Sequence, residues 1–163
     1  MAKKIPFTDK EMEKAWLRNI FAYHKTPQPR SNAHRLLLFY AVECGLKAMF
    51  MKKKRCHRTD LDSCQEIIEC GHSINDMLDC LKAQRNLKLP EICIEDIPDK
   101  RNNKKNKQEK RKLDSGQINQ IWRYGGNIIG IITQRVEKQA TDEDIENKLL
   151  VISKWIALEI EKL

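Results

Sequence analysis

No two of the six cysteines (Cys44, Cys56, Cys64, Cys70, Cys80, Cys93) are separated by only two residues. Zinc knuckles build their tetrahedron from such close pairs, and the nearest approach to one is Cys56-His57, so neither a metal nor another cofactor is expected. Proline and glycine are scarce, five and six in 163 residues, and most fall between apolar segments. That scarcity favours long helices over a turn-rich sheet protein. No apolar run reaches the length of a membrane span, and the opening MAKKIPFTDK has basic residues with no apolar segment behind them. The chain therefore reads as one cytoplasmic domain, residues 1–163, with no membrane contact. Its thiols are expected to be reduced, several of them packed as small core residues.

The charge is uneven. Of 31 basic and 23 acidic residues, eight and one fall in Lys100–Lys112 (KRNNKKNKQEKRK), which leaves 23 and 22 elsewhere. The excess thus lies in Lys100, Arg101, Lys104, Lys105, Lys107, Lys110, Arg111 and Lys112 and not on a face spread over the fold. Such a run can hold phosphates of RNA or DNA by counterion release. It contains no aromatic residue, so single-strand base stacking is not expected there. The bland alternative is a solvated insertion that aids solubility.

The rest is helical in pattern. Thr8 precedes Glu11 by three, a capping box, and Met12, Ala15, Trp16, Asn19, Ile20 and Tyr23 form one stripe up to Pro27 and Pro29. Ser31 or Asn32 caps a second helix to about Lys54 that is apolar nearly all round, the mark of a central helix. A third starts near Leu61 and breaks at Cys70-Gly71, resuming as GHSINDMLDCLK. Residues 90–113 lack periodicity and read as an exposed, mobile basic connection. A fourth helix is expected from Ser115 to about Gln139, and a fifth, capped by Thr141 and Asp144, runs to the end. The expectation is an all-α bundle of four to five helices, with a long basic loop before the fourth and no strand.

Three segments in this order, AVECGLKAM on the second helix, GHSINDML on a later half-helix and IWRYGG on the fourth, resemble the HEPN domain. The resemblance implies a helical bundle that often dimerises and is common in prokaryotic toxin–antitoxin and phage-defence systems. Many members are metal-independent ribonucleases that use an arginine followed four to six residues later by histidine. Others are binding or assembly modules. In such chemistry the histidine exchanges a proton with the 2′-hydroxyl or leaving oxygen, and the arginine holds the phosphate. Here Arg123 stands where the resemblance implies the pair, but all four histidines lie at or before position 72.

The remaining candidates follow from spacing. Arg18 and His24 have the right separation, but on the first helix, where six positions put them about 240° apart unless the helix ends near Tyr23. Arg30, His34 and Arg35 form a cationic group at the start of the second helix, a place that favours anions. His72 follows the expected break at Cys70-Gly71 and is a capping, core-facing or catalytic residue. Cys56 and Cys64 lie among Lys54, Arg55 and Arg58, which can lower a thiol's pKa. Glu43 either pairs with Lys47 one turn on or, facing inward, forms a structural salt bridge with Arg123. The reading is a binding or assembly module of a prokaryotic defence or toxin-type system, a homodimer or partner of another protein of that system, without catalysis of its own. The alternatives are an active endoribonuclease and a plain dimerising scaffold.

Overall fold

A computed structural model describes residues 5–95 and 111–163. Three long helices begin where their capping boxes place them. Thr8 accepts the Glu11 N–H at 3.2 Å while the Glu11 carboxylate accepts the Thr8 N–H at 2.7 Å, and α1 (Asp9–His24) follows. Ser31 and His34 make the same reciprocal arrangement for α2 (Asn32–Lys53), as do Thr141 and Asp144 for α6 (Asp142–Ile160). Two shorter helices, α3 (Gln65–Glu69) and α4 (Ile74–Cys80), are separated at Gly71, whose φ of +57° is open to glycine without strain. A further short helix, α5 (Ile118–Arg123), lies before α6.

The second helix is the hub. Leu38, Phe39, Ala41, Val42, Leu46, Met49 and Phe50 are buried on it, and α1, α3, α4, α5 and α6 all pack against it. Gly45 is what lets two neighbours converge there: a Cβ at that position would lie 2.9 Å from the Trp16 ring of α1 and 3.0 Å from the Ile156 side chain of α6. The core continues through Ile67, Ile74, Met77 and Leu78 to Ile118, Ile121 and Trp122.

The fold is not all-α. Four strands, β1 (Glu91–Ile94), β2 (Arg111–Leu113), β3 (Ile128–Thr133) and β4 (Val136–Gln139), form an antiparallel sheet in the order β2-β1-β3-β4. The expected helix from Ser115 to Gln139 is therefore α5 followed by a hairpin. Its glycines decide the matter. Tyr124 closes α5, Gly125 takes a φ of +78°, and the chain re-enters as Ile-Ile-Gly-Ile-Ile-Thr. Ile128, Ile129, Ile131 and Ile132 fit a helical stripe and a strand alike, but β-branched side chains prefer the pleat. Gln134 and Arg135, both with positive φ, then make the two-residue turn that joins β3 to β4.

The expected exposed connection over residues 90–113 is corrected at both ends. In β1 the residues Ile92, Cys93 and Ile94 are buried, Ile92 and Ile94 in the main core. Arg111 pairs with Ile94 and Lys112 with Cys93, so both belong to β2. Lys100, Arg101, Lys104, Lys105, Lys107 and Lys110 lie outside the described residues.

The cysteines also depart from expectation. Cys56 and Cys64, both fully buried, are joined by a disulfide with Cα atoms 6.0 Å apart, so neither is a thiol of lowered pKa. They bracket the turn after α2 and, with Met51, form a small satellite core. Spacing rules tuned to metal knuckles do not register a pair eight residues apart.

Candidate functional site

Glu43 is buried to 7% exposure on the hub helix, where a carboxylate needs partners. It has two. Lys47 Nζ, one turn on, donates to Oε1 at 2.6 Å, and His72 Nδ1 lies 2.9 Å from Oε2. Of the two alternatives for Glu43, the pair with Lys47 forms, whereas Arg123 bonds to Tyr40 instead. An ionised Glu43 carboxylate accepts from the Nδ1–H tautomer of His72, which leaves Nε2 for another partner. The His72 side chain is 54% exposed. Its position follows from the break at Gly71, which turns the chain so that His72 projects toward α2 just before Ser73 caps α4 through the Asp76 N–H.

Arg123 ends α5 and donates from Nη2 to the Tyr40 hydroxyl, with its guanidinium 5.9 Å from the Tyr124 ring. Tyr40 precedes Glu43 by three residues on α2, so adjacent turns of one helix hold Arg123 and His72. Sequence spacing could not find this, because the two lie on α5 and before α4 and are each held by a different residue of α2, Tyr40 and Glu43. The arrangement combines a carboxylate-oriented imidazole, an ammonium and an exposed guanidinium, the parts needed to move a proton beside a bound phosphate.

The other sequence candidates separate. α1 continues through His24, so Arg18 and His24 stay on different sides of it; Arg18 lines a cleft with Phe7, Glu11, Met12, Ala15 and Cys44, while His24 stands edge-on to Tyr23. His34 is occupied as a cap, its Nδ1 accepting the Ser31 N–H. Arg30 and Arg35 do meet an anion, but it is the protein's own. Arg35 Nε donates to Glu146 Oε2 at 2.7 Å, Arg30 Nη1 lies 3.6 Å from Oε1, and the Tyr23 hydroxyl donates to the same oxygen. Arg30 also covers the Tyr23 ring at 4.2 Å. Burial, followed by the bond to Glu146, pushes the Tyr23 hydroxyl far above its ordinary range. Glu146, on α6, is the partner the sequence reading missed; its signal is a charged residue on the inward stripe beside Ile145 and Leu149.

A cleft of about 230 Å³ opens beside the end of the sheet, lined by Ile94, Glu95, Arg111, Gly125, Gly126 and Asn127. Asn32 Nδ2 donates to the Gly126 carbonyl at 3.0 Å and so pins this rim to the start of α2. Arg111 Nε donates to the Glu95 carbonyl at 2.8 Å, which draws together the points where residues 96–110 leave and rejoin the sheet. Among the described residues no group of three or more His, Cys, Asp or Glu side chains could hold a metal ion, and no helix is long and apolar enough to cross a membrane. Comparison of the chain with protein-family models, curated proteins and solved structures finds no match.

Proposed function

We propose that this protein is a polyanion-binding module that contacts RNA or DNA through Lys100–Lys112. The observation that carries the reading is the concentration of charge: eight basic residues against one acidic in this segment, and near balance elsewhere. The β1–β2 pairing sets Arg111 and Lys112 in the sheet beside the Arg111 cleft, across from Ile94 and Cys93. Titration of a labelled RNA and a duplex DNA tests it. Binding is expected to disappear when Lys104, Lys105, Lys107 and Lys110 are all replaced by serine, and retention of full affinity refutes the reading. Arg111 is left intact in that variant because it supports β2.

The resemblance of AVECGLKAM, GHSINDML and IWRYGG to the HEPN domain supports a role as a binding or assembly component of a prokaryotic defence or toxin-type system, acting as a homodimer or with a protein of the same system. The sheet is an element that this resemblance does not account for. Light scattering on the purified chain tests the dimer.

A second reading, a metal-independent endoribonuclease, is favoured by one observation: His72 is oriented by the buried Glu43 carboxylate, with Arg123 held from the adjacent turn of α2. In it Arg123 holds the phosphate and His72 Nε2 takes or returns a proton. Cleavage of RNA by the purified protein that is lost in His72→Ala and Arg123→Ala, but kept in His24→Ala and Arg18→Ala, is the result expected from that site. No cleavage above a mock preparation removes this reading and leaves the first.

A further inference from the structure

Two of the four remaining thiols are paired in space. Cys70 closes α3 and Cys80 closes α4, ten residues later, and their Sγ atoms are 3.5 Å apart. Both are half-buried, and the Cys70 thiol is placed 3.4 Å from the Glu66 carbonyl. A disulfide bond is about 2.05 Å long, so closing this pair requires the sulfurs to approach by roughly 1.5 Å. The chain between them turns at Gly71, where φ is +57°. That residue has no heavy atom within 4 Å of where a side chain would begin, so the corner has open space to turn into.

We infer that Cys70 and Cys80 form a dithiol–disulfide pair, a reversible modification site oxidised by low-molecular-weight disulfides. This goes beyond the binding reading and does not depend on it. The step is thiol–disulfide exchange. The Cys70 thiolate attacks one sulfur of glutathione disulfide, making a mixed disulfide and expelling one glutathione thiolate. The Cys80 thiolate then attacks the Cys70 sulfur, making the Cys70–Cys80 bond and expelling the second glutathione. The two protein thiols lose two protons and two electrons, and glutathione disulfide gains them to become two glutathione thiols.

The order of attack follows from the surroundings. Burial, with a hydrogen bond donated to Cys70, pushes the Cys80 thiol up to about 12, whereas the Cys70 thiol is raised by burial with the hydrogen bond from Cys80 offsetting part of the rise. Cys70 is therefore the attacking thiol and Cys80 the resolving one. Because the thiolate is the nucleophile, the exchange accelerates about tenfold per pH unit between roughly pH 7 and 9. The Cys56–Cys64 bridge, fully buried in its own small core, is a separate structural element.

The test uses the full chain in a reduced-to-oxidised glutathione series, quenched by alkylation and digested by proteases that cut after Glu69 and before Asp76, so that Cys70 and Cys80 fall on different peptides unless bridged. The expected result is a Cys70–Cys80-linked pair lacking two hydrogens and both alkyl labels, restored by dithiothreitol. Cys80→Ser should stop at the mixed disulfide, leaving glutathione on Cys70. Oxidation that leaves both thiols free to alkylate overturns the inference. So does stable glutathione on each separately, or a bridge from either to Cys44 or Cys93.

Discussion

Gly45 and Glu43 show how tightly single positions of α2 are specified. Because a methyl group at position 45 would meet both the Trp16 ring and the Ile156 side chain, Gly45→Ala should destabilise by about 1–3 kcal/mol, read as a lowered midpoint at constant slope in denaturant titration. The neighbouring charge cluster makes a second contrast. Glu146→Gln leaves the Arg30 and Arg35 side chains, which are 14% and 15% exposed, without their carboxylate and should destabilise by about 2–4 kcal/mol. Tyr23→Phe removes one hydrogen bond to the same carboxylate and should cost about 1 kcal/mol by the same measurement. Little of this was open to sequence reasoning. Lys47 could be named as a partner of Glu43 because helical neighbours are fixed by spacing. His72 and Glu146 could not, since each reaches its partner across the fold.

At the scale of elements, α1, α2 and α6 were legible because each carries a capping residue three positions before its acceptor and a stripe long enough to set a period. The strands were not. β1 and β2 are four and three residues long and flank a charged run that masks them, and β3 was absorbed into a helical stripe its isoleucines also satisfy. Among the described residues, the Cys56–Cys64 bridge is a further element that spacing hid. A bridge across eight residues contributes about 2–3 kcal/mol by constraining the unfolded chain. In a domain of this size that corresponds to roughly 5–10 °C, so dithiothreitol should lower the thermal midpoint by about that much. The Cys56→Ser/Cys64→Ser variant should start low and show no further drop with reductant. An unchanged midpoint in the parent chain would show the bridge to be dispensable.

For the molecule as a whole, the excess positive charge lies in one stretch, Lys100–Lys112. If the polyanion contact is made by the Lys100–Lys112 run, affinity should fall steeply with salt. Three to five phosphates engaged on duplex DNA give a slope of roughly −3 to −5 in log affinity against log salt. A slope near zero would move the contact to a structured pocket. The cleft at Arg111 and Gly125–Asn127 would then be the place to substitute.

The pairing of Ile94 with Arg111 has a consequence for engineering and for descent. Since the two strands are already in register on either side of residues 96–110, a short Asn-Gly turn can join them in place of that segment. Loop closure costs about 0.6 kcal/mol per doubling of length, so on closure entropy alone the shortened chain should melt roughly 3–6 °C above the parent. The same economy works in reverse: residues 96–110 can be lifted out and grafted between the strands of an unrelated hairpin, carrying their charge with them. Because Ile94 and Arg111 are paired whatever joins them, relatives of this protein should differ more in the length of residues 96–110 than along α2.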